Sequence, residues 1–255
     1  MADAETFLFS IPSGVPVLTS VSDVAVDSGG NIIAVTNDNL VKLNPTGTEI
    51  WRIGSSGSGD GQLSSPQGVA VDGTGNIYVA DTSNHRIQKF NSAGVYQSQF
   101  GSPGSGNGQF NLPQGVTVDG TGNIYVADTS NHRIQKFNST GAFVSKFGSL
   151  GSGNGQLSSP QGVTVDNSSI YVVDTNNNRI QVFVQCIPPP SGNWIITSNC
   201  TMSSSASVTM GDVIVRNNAV LTIPNNVLLD IDFTQHHLLV EFGSGILIKV
   251  GGKIF

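Results

Sequence analysis

The sequence predicts an all-β protein whose first three-quarters form a four-bladed β-propeller. Two observations carry this prediction. One unit of sequence recurs at a fixed offset of 47 residues, from Pro66 to Pro113 to Pro160. Each copy also contains short apolar runs separated by turn residues, and four strands per repeat at a period in the forties are typical of a propeller blade.

The copies differ in how well they are preserved. Residues 66–91 read PQGVAVDGTGNIYVADTSNHRIQKFN, and residues 113–138 differ from them at one position. Residues 160–183 form a shortened third copy, and residues 24–44 form a more divergent one at the start of the chain. This makes four copies in all, which lies within the range of blade numbers that propellers have.

Strand and turn signals alternate within the copy that begins at Pro66. Val69 and Val71 alternate with smaller neighbours, as expected of a first strand. Residues 77–80, 87–90 and 95–100 supply the second, third and fourth strands. Residues 72–76 read DGTGN and predict a tight turn, because Gly and Asn tolerate positive φ.

The two ends of the repeat array predict how the ring closes. The last copy stops at residue 185 without a fourth strand, and residues 6–11 offer an apolar run that belongs to no copy. We predict that this N-terminal strand completes the last blade and closes the ring. The alternative is an incomplete ring that pairs with another chain.

The repeated motif also carries a family resemblance. P-x-G-V-x-V-D, followed by N-I-Y-V-A-D-T and N-H-R-I-Q, resembles the NHL repeat over residues 20–185. NHL propellers usually have six blades, whereas four copies are present here. The resemblance implies the propeller fold and allows two kinds of function. NHL repeats recruit substrates in ubiquitin ligases, and the peptidyl-amide lyases hold a zinc with histidines near the propeller axis.

Each well-preserved copy places an Asp and an Arg five residues apart across a turn, where a bidentate contact can form. A catalytic group rarely occurs once per blade, so we predict structural pairs and assign no catalytic residue. The divergent copy has Thr36 and Asn39 in these places and has therefore lost both partners together. The predicted pairs are Asp81 with Arg86, Asp128 with Arg133, and Asp174 with Arg179.

The histidines of the motif do not form a promising metal site. His85 and His132 occupy equivalent positions, and the third copy has Asn178 there. Two histidines and an asparagine make a poor zinc set. The DGTGN turns lack the run of oxygen ligands and the closing Glu of a calcium-binding EF-hand. We therefore expect no metal and no cofactor.

Polar loops at 54–62, 101–109 and 148–156 connect successive blades. We expect them on the same rim as the Thr-Ser-Asn turns, where propellers commonly bind ligands. The alternative is that these residues only connect blades and that the glutamines cap backbone groups. The predicted ligand-binding rim comprises Asn84, Asn131, Asn177, Gln67, Gln114 and Gln161.

The composition changes after residue 185. Residues 186–192 form a Pro-rich linker, which is stiff and extended. Apolar runs then recur between residues 194 and 250, some of them every eight or so residues. We predict a β-helix-like (β-solenoid) module over residues 193–255, resembling the coils of surface adhesins; a small sandwich is the alternative. The predicted domains are thus 1–185 and 193–255, joined by the linker.

Charge and cysteine content bear on the possible partners and on the cellular location of the protein. The chain of 255 residues has 11 Lys and Arg and a net charge of −6, so it lacks the basic surface of a nucleic-acid binder. No apolar stretch is long enough for membrane insertion. Low charge favours an extracellular or cell-surface location, although the first residues lack the features of a signal peptide.

Cys186 and Cys200 would close a disulfide in an exported protein and stay free thiols in the cytosol.

These observations favour a non-catalytic binding or structural scaffold protein that recognises a protein or a glycan on the rim. Copies of the chain are a further candidate partner. The alternative function is a propeller enzyme of the peptidyl-amide lyase or lactone hydrolase type, with a metal at the channel mouth. Fold resemblance alone does not distinguish these functions.

Overall fold

The computed structural model describes residue 18, residues 20–166 and 169–184, and nine short strands between residues 194 and 254. The chain divides into two compact units. One comprises residues 1–167 and 171–182, and the other comprises residues 168–170 and 183–255. The predicted N-terminal strand at 6–11 lies outside the described residues, so closure of the ring by that strand stays a prediction.

The first unit is an all-β, four-bladed propeller, as predicted. Each blade is a sheet of consecutive strands, and the strands of blades 1 to 3 pair antiparallel. Blade 1 contains β1 (Asp23–Val26), β2 (Ile32–Val35), β3 (Leu40–Leu43) and β4 (Glu49–Ile53). Blade 2 contains β5 (Gly68–Val71), β6 (Ile77–Asp81), β7 (Arg86–Phe90) and β8 (Tyr96–Phe100). Blade 3 contains β9 (Pro113–Val118), β10 (Ile124–Asp128), β11 (Arg133–Phe137) and β12 (Phe143–Phe147). Blade 4 contains β13 (Pro160–Val165), β14 (Ser169–Asp174) and β15 (Arg179–Val184).

The predicted DGTGN turn joins the first and second strands of blade 2. The Asp72 carboxylate accepts hydrogen bonds from the N–H groups of Thr74 and Asn76, both at 2.9 Å. Gly75 has φ +87°, a conformation that a side chain would disfavour. Residues within the turn therefore stabilise it without help from other blades.

The two largest core clusters lie where blade 1 meets blade 2 and where blade 2 meets blade 3. Ile33, Val35 and Leu40 of blade 1 pack in one cluster with Val69 and Val79 of blade 2. A second cluster joins blades 2 and 3 and includes several aromatic rings, among them Phe110 and Phe137. The largest clusters of buried apolar residues therefore join neighbouring blades.

The first strands of the four blades, β1, β5, β9 and β13, all contribute to the lining of a cavity of about 320 Å³. They line it with short side chains and with backbone. The lining residues are Asp23–Val26, Val69–Val71, Val116–Val118, Val163 and Thr164. These inner strands begin on one edge of the propeller, which we call the rim.

Neighbouring inner strands approach each other closely at two glycines. A Cβ atom added at Gly68 would lie 2.2 Å from the carbonyl oxygen of Gln114, and one at Gly115 would lie 2.3 Å from the carbonyl oxygen of Gln161. Only glycine permits this backbone spacing, which explains the glycine of the P-Q-G-V motif in the second and third blades.

This close approach predicts that Gly115→Ala destabilises the propeller. The new methyl group must displace a backbone carbonyl, and such overpacking costs about 1–3 kcal/mol of unfolding free energy. Gly120→Ala is the matched control, because a Cβ there meets no atom within 4 Å. Urea denaturation of both variants checks the prediction, and equal midpoints for the two would contradict it.

Nine strands are described between residues 194 and 254, and all of their pairings are parallel. They form three sheets of three strands. The first sheet contains β16 (Trp194–Ile196), β19 (Val213–Val215) and β22 (Leu238–Val240). The second contains β17 (Cys200–Thr201), β20 (Val220–Ile223) and β23 (Gly245–Ile248). The third contains β18 (Ala206–Val208), β21 (Leu228–Ile231) and β24 (Lys253–Ile254).

Some features predicted for this part of the chain lie outside the described residues. These are the linker at 186–192, Cys186 and the side chain of Cys200, so the disulfide stays a prediction. The domain boundaries and the β-solenoid module also stay predictions. The helical elements of the described residues are three-residue 3-10 turns, and no helix in that part of the chain could span a membrane.

Candidate functional site

A buried carboxylate occupies the end of the second strand in blades 2, 3 and 4. In blade 3, Asp128 has no exposed surface. One carboxylate oxygen accepts hydrogen bonds from Arg133 Nε at 2.7 Å and from Gln135 Nε2 at 3.0 Å. The other accepts one from the Asn111 N–H at 2.7 Å. The carboxylate thus joins strands β10 and β11 to the loop that enters the blade.

The predicted Asp–Arg pairs are present in all three blades, at 2.7 Å each. They are not bidentate, however. In blade 3 only Nε of Arg133 contacts Asp128, because Nη1 and Nη2 donate to the carbonyl oxygens of Ser105, Gly106 and Gln109. The guanidinium therefore fastens the polar loop to the blade as well as neutralising the carboxylate.

The asparagines of the predicted rim take part in the same network. Asn84 Nδ2 donates to the Asp81 carboxylate at 2.9 Å and to the Gly57 carbonyl at 2.8 Å. Asn131 and Asn177 make the equivalent contacts in blades 3 and 4. Their amide nitrogens hold the loops in place, so a ligand would have to use the remaining amide oxygens.

This network lowers the pKa of the buried carboxyl in blade 4. Burial alone raises the pKa of Asp174, but hydrogen bonds from the Ser158 N–H, Asn177 and Arg179 lower it by more, so the pKa lies below its usual value. The carboxylate form is therefore the one that the folded blade stabilises.

The glutamines of the polar loops cap backbone groups, which the alternative interpretation of these loops predicted. The side-chain oxygens of Gln62, Gln109 and Gln156 each accept a hydrogen bond from a loop glycine N–H at 2.9 Å. Each of these loops is therefore closed by a hydrogen bond from its own glycine to its own glutamine.

Three other glutamines behave differently. Gln67, Gln114 and Gln161 lie where the inner strands begin, and their side chains make no hydrogen bond to the part of the chain that the structure describes. Gln67 and Gln161 are exposed, and Gln114 is half-buried. The backbone N–H of Gln67 donates to Ala80 at 3.1 Å, which places Gln67 on the same edge as the Thr-Ser-Asn turn. Of the six predicted rim residues, these three have amides that remain available to a ligand.

The motif histidines link neighbouring blades. Nδ1 of His85 accepts a hydrogen bond from the Leu112 N–H at 3.1 Å, and Nδ1 of His132 accepts one from the Ser159 N–H at 3.0 Å. Both histidines have φ 54°. Among the described residues, no three His, Cys, Asp or Glu side chains are grouped so that they could hold a metal ion.

Two tyrosines make contacts that the sequence did not indicate. The Tyr78 hydroxyl donates to Asp72 at 3.2 Å, and the Tyr125 hydroxyl donates to Asp119 at 3.1 Å. Burial, and then the nearby Asp72 carboxylate, raises the pKa of Tyr78. The Tyr follows the Asp by six residues in both blades, and this recurrence could have indicated the contact. The spacing alone, however, does not show that the tyrosine ring reaches back over the turn.

The fold is a β-propeller in which the same Asp–Asn–Arg network recurs in three blades. These blades coincide with three NHL repeats, which match residues 63–90, 110–137 and 157–183. The divergent first blade lies outside the matched residues.

The chain is also similar to several known proteins. It is 57% identical over 37 residues to the B-box type zinc finger protein ncl-1 of Caenorhabditis elegans, which is 14% of this chain and 4% of that protein. A streptogramin B lyase structure superposes with a TM-score of 0.51 at 20% identity, covering 67% of this chain and 55% of that one. A catalytically inactive virginiamycin B lyase from Staphylococcus aureus with quinupristin gives 0.50 at 16% identity, covering 69% and 58%. The chain thus spans little more than half of these structures, and the likeness shows the fold alone.

Proposed function

We propose that this chain is a non-catalytic binding protein that recognises a neutral, hydrogen-bonding ligand on the rim, either a glycan or an uncharged peptide segment. The observation that carries the proposal is the set of equivalent amides of Gln67, Gln114 and Gln161, which have no partner among the described residues. Each amide offers two donors and an acceptor without a charge, which suits hydroxyl and peptide groups.

The position of these glutamines supports the proposal. They open three successive inner strands and precede the residues that line the cavity. Gly68 and Gly115, which follow two of them, hold the neighbouring strands at fixed spacing through close backbone contacts. A ligand would therefore meet amides carried on a fixed backbone, so that little backbone entropy is lost on binding.

The test is a titration of the full chain, labelled with ¹⁵N, and followed by the side-chain amide signals in NMR spectra. Maltohexaose, chitohexaose and an uncharged Gly/Ser/Asn peptide are the probes. We expect one class of probe to shift the signals of Gln67, Gln114 and Gln161. The triple variant Gln67→Ala, Gln114→Ala, Gln161→Ala is expected to lose the response.

Gln97→Ala serves as the matched control. Gln97 lies on the outer strand β8 and donates only to the nearby backbone carbonyls of Val95 and Tyr96. This variant is expected to bind like the parent chain. Binding by the triple variant at parental strength, or no response of the parent to any probe, would contradict the proposal.

The alternative function is an enzyme of the peptidyl-amide lyase or lactone hydrolase type with a metal at the channel mouth. It rests on the fold shared with the lyase structures. Metal analysis of the purified full chain separates the two functions, because stoichiometric zinc would favour the enzyme. Nδ1 of each motif histidine that such a site could use accepts a blade-to-blade hydrogen bond.

As part of the same proposal, residues 193–255 form a β-solenoid module and the protein acts outside the cell or on its surface. Parallel pairing of strands about 25 residues apart, such as β19 with β22, supports the solenoid. The low content of charged residues, 11%, supports the location.

A further inference from the structure

Each junction between neighbouring blades carries the same polar contact. The N–H of the residue two before an inner-strand glutamine donates to a side chain in the turn of the preceding blade. All three donors are non-glycine residues with φ between 47° and 52°. The contacts join Ser65 to Asp38 Oδ1 at 3.2 Å, Leu112 to His85 Nδ1 at 3.1 Å, and Ser159 to His132 Nδ1 at 3.0 Å.

A second contact recurs at two junctions. The Thr82 hydroxyl donates to the carbonyl oxygen of Pro113 at 2.7 Å, and the Thr129 hydroxyl donates to that of Pro160 at 2.8 Å. The equivalent residue of blade 4 is Thr175. Its hydroxyl is buried and makes no hydrogen bond to the described part of the chain. A buried hydroxyl without a partner is costly, so this group marks a missing acceptor.

Residues at the two ends of the blade array have the same positive φ as the residues that form these contacts. Asn178 of blade 4 replaces the motif histidine and has φ 51°, against 54° for His85 and His132. Ser20, before blade 1, has φ 52°. Non-glycine residues rarely adopt this conformation, so both ends of the array are shaped for a blade-to-blade junction.

Blade 4 also exposes the apolar face that other blades bury. Ile180 is 67% exposed, whereas its counterparts Ile87 and Ile134 are fully buried between blades. Val173, on the same face, is 45% exposed. Exposed apolar residues grouped on one face indicate an interaction surface.

Blade 1 exposes the apolar face that, in blades 2 and 3, packs against the preceding blade. Val24 is 56% exposed, whereas its counterparts Val69 and Val116 are 4% and 6% exposed. Where blades 2 and 3 meet, Ile87 and Val116 belong to the same apolar cluster. The exposed Ile180 and Val24 are therefore the counterparts of two residues that pack together where blade 2 meets blade 3.

We propose that blade 4 of one chain docks on blade 1 of a second copy, head to tail, and that two copies close a ring of eight blades. In this junction Asn178 accepts the Ser20 N–H of the other copy, and the Thr175 hydroxyl donates to the carbonyl of Val21, which occupies the position of Pro113. A head-to-tail contact closes into a ring when the rotation permits, and eight blades lie within the propeller range.

A second copy accounts for these observations better than closure within one chain. Within the described residues, Ile180 and Val24 are both exposed and the Thr175 hydroxyl lacks an acceptor, so blades 4 and 1 of the same chain do not form the junction. The proposal is independent of the ligand proposed for the rim, because none of these residues is a rim glutamine.

Light scattering coupled to size-exclusion chromatography tests the proposal on the full chain. We expect the parent to have twice the 26.6 kDa of one chain. Ile180→Lys and Val24→Glu, made separately, are each expected to halve that mass. Both residues are exposed within one chain, so the variants should keep the parental circular dichroism spectrum. Val144→Lys, on the outer strand β12, is the control and should leave the mass unchanged.

Mixing the Ile180→Lys and Val24→Glu variants shows whether the contact is head to tail. In a mixed pair one junction is parental, and the other brings the two substituted positions together with introduced charges of opposite sign. The mass of the mixture should therefore return to that of two chains. A parent with the mass of one chain would overturn the proposal. An Ile180→Lys variant that still forms dimers by itself would overturn it as well.

Discussion

Replacing Asp128 by Ala is expected to cost about 3–5 kcal/mol of unfolding free energy, because it leaves the buried cation of Arg133 without its carboxylate. The side chain of Asp128 is fully buried and that of Arg133 is 7% exposed. The variant also removes the acceptor for Asn131, Gln135 and the Asn111 N–H. Urea denaturation followed by circular dichroism measures the loss.

Two variants calibrate this result. Asp174→Ala removes the equivalent carboxylate in blade 4, where the Arg179 side chain is 28% exposed and water can solvate the cation that remains. Its cost should therefore be smaller. Glu49→Ala breaks a surface pair with Arg52 and is expected to cost below about 1 kcal/mol. If Asp128→Ala lost no more than Glu49→Ala, the carboxylate would not be the structural staple of the blade.

Phe137→Ala is expected to have an effect of similar size, about 3–5 kcal/mol, because it opens a cavity between blades 2 and 3. The ring of Phe137 is buried and lies 4.7 Å from the ring centre of Phe100 in blade 2 and 5.4 Å from that of Phe110. It also contacts Phe143 edge to face at 6.0 Å. One side chain thus joins two blades and the loop between them.

Phe137→Leu is the graded comparison, since it keeps most of the volume and should cost less than the alanine variant. Val144→Ala, at a 43% exposed position on the neighbouring outer strand, should change stability by no more than about 0.5 kcal/mol. Thermal unfolding of the three variants orders the effects. A Phe137→Ala midpoint close to that of Val144→Ala would show that the aromatic cluster is not the main tie between these blades.

The first prediction concerns a buried ion pair and its hydrogen bonds, and the second concerns apolar packing between blades. The Asp128 network connects blade 3 to its entry loop, whereas Phe137 connects blade 3 to blade 2. Both depend on contacts that recur with the repeat, so the interior blades should be sensitive to substitution. Equivalent changes in blade 4, whose outward face is exposed, should be tolerated better.

Much of the fold could be predicted from local sequence. The 47-residue offset predicts the blades, alternating apolar residues predict their strands, and the DGTGN segment predicts its turn, because the strands and turns of a blade lie close together in the chain. The Asp–Arg spacing predicts the pairs for the same reason: Asp128 and Arg133 face each other in register across β10 and β11.

The amino-acid pattern was therefore sufficient for the repeat, the strands, the turns and the partners within each hairpin. The folded chain was needed to show that the arginines contact Asp through Nε alone, that the rim asparagines are engaged while the rim glutamines are not, and which faces of blades 1 and 4 stay open. The difference arises from separation along the chain. Arg133 reaches Ser105, 28 residues away, and His85 reaches Leu112, 27 residues away, so these contacts depend on how loops and blades pack rather than on any local pattern.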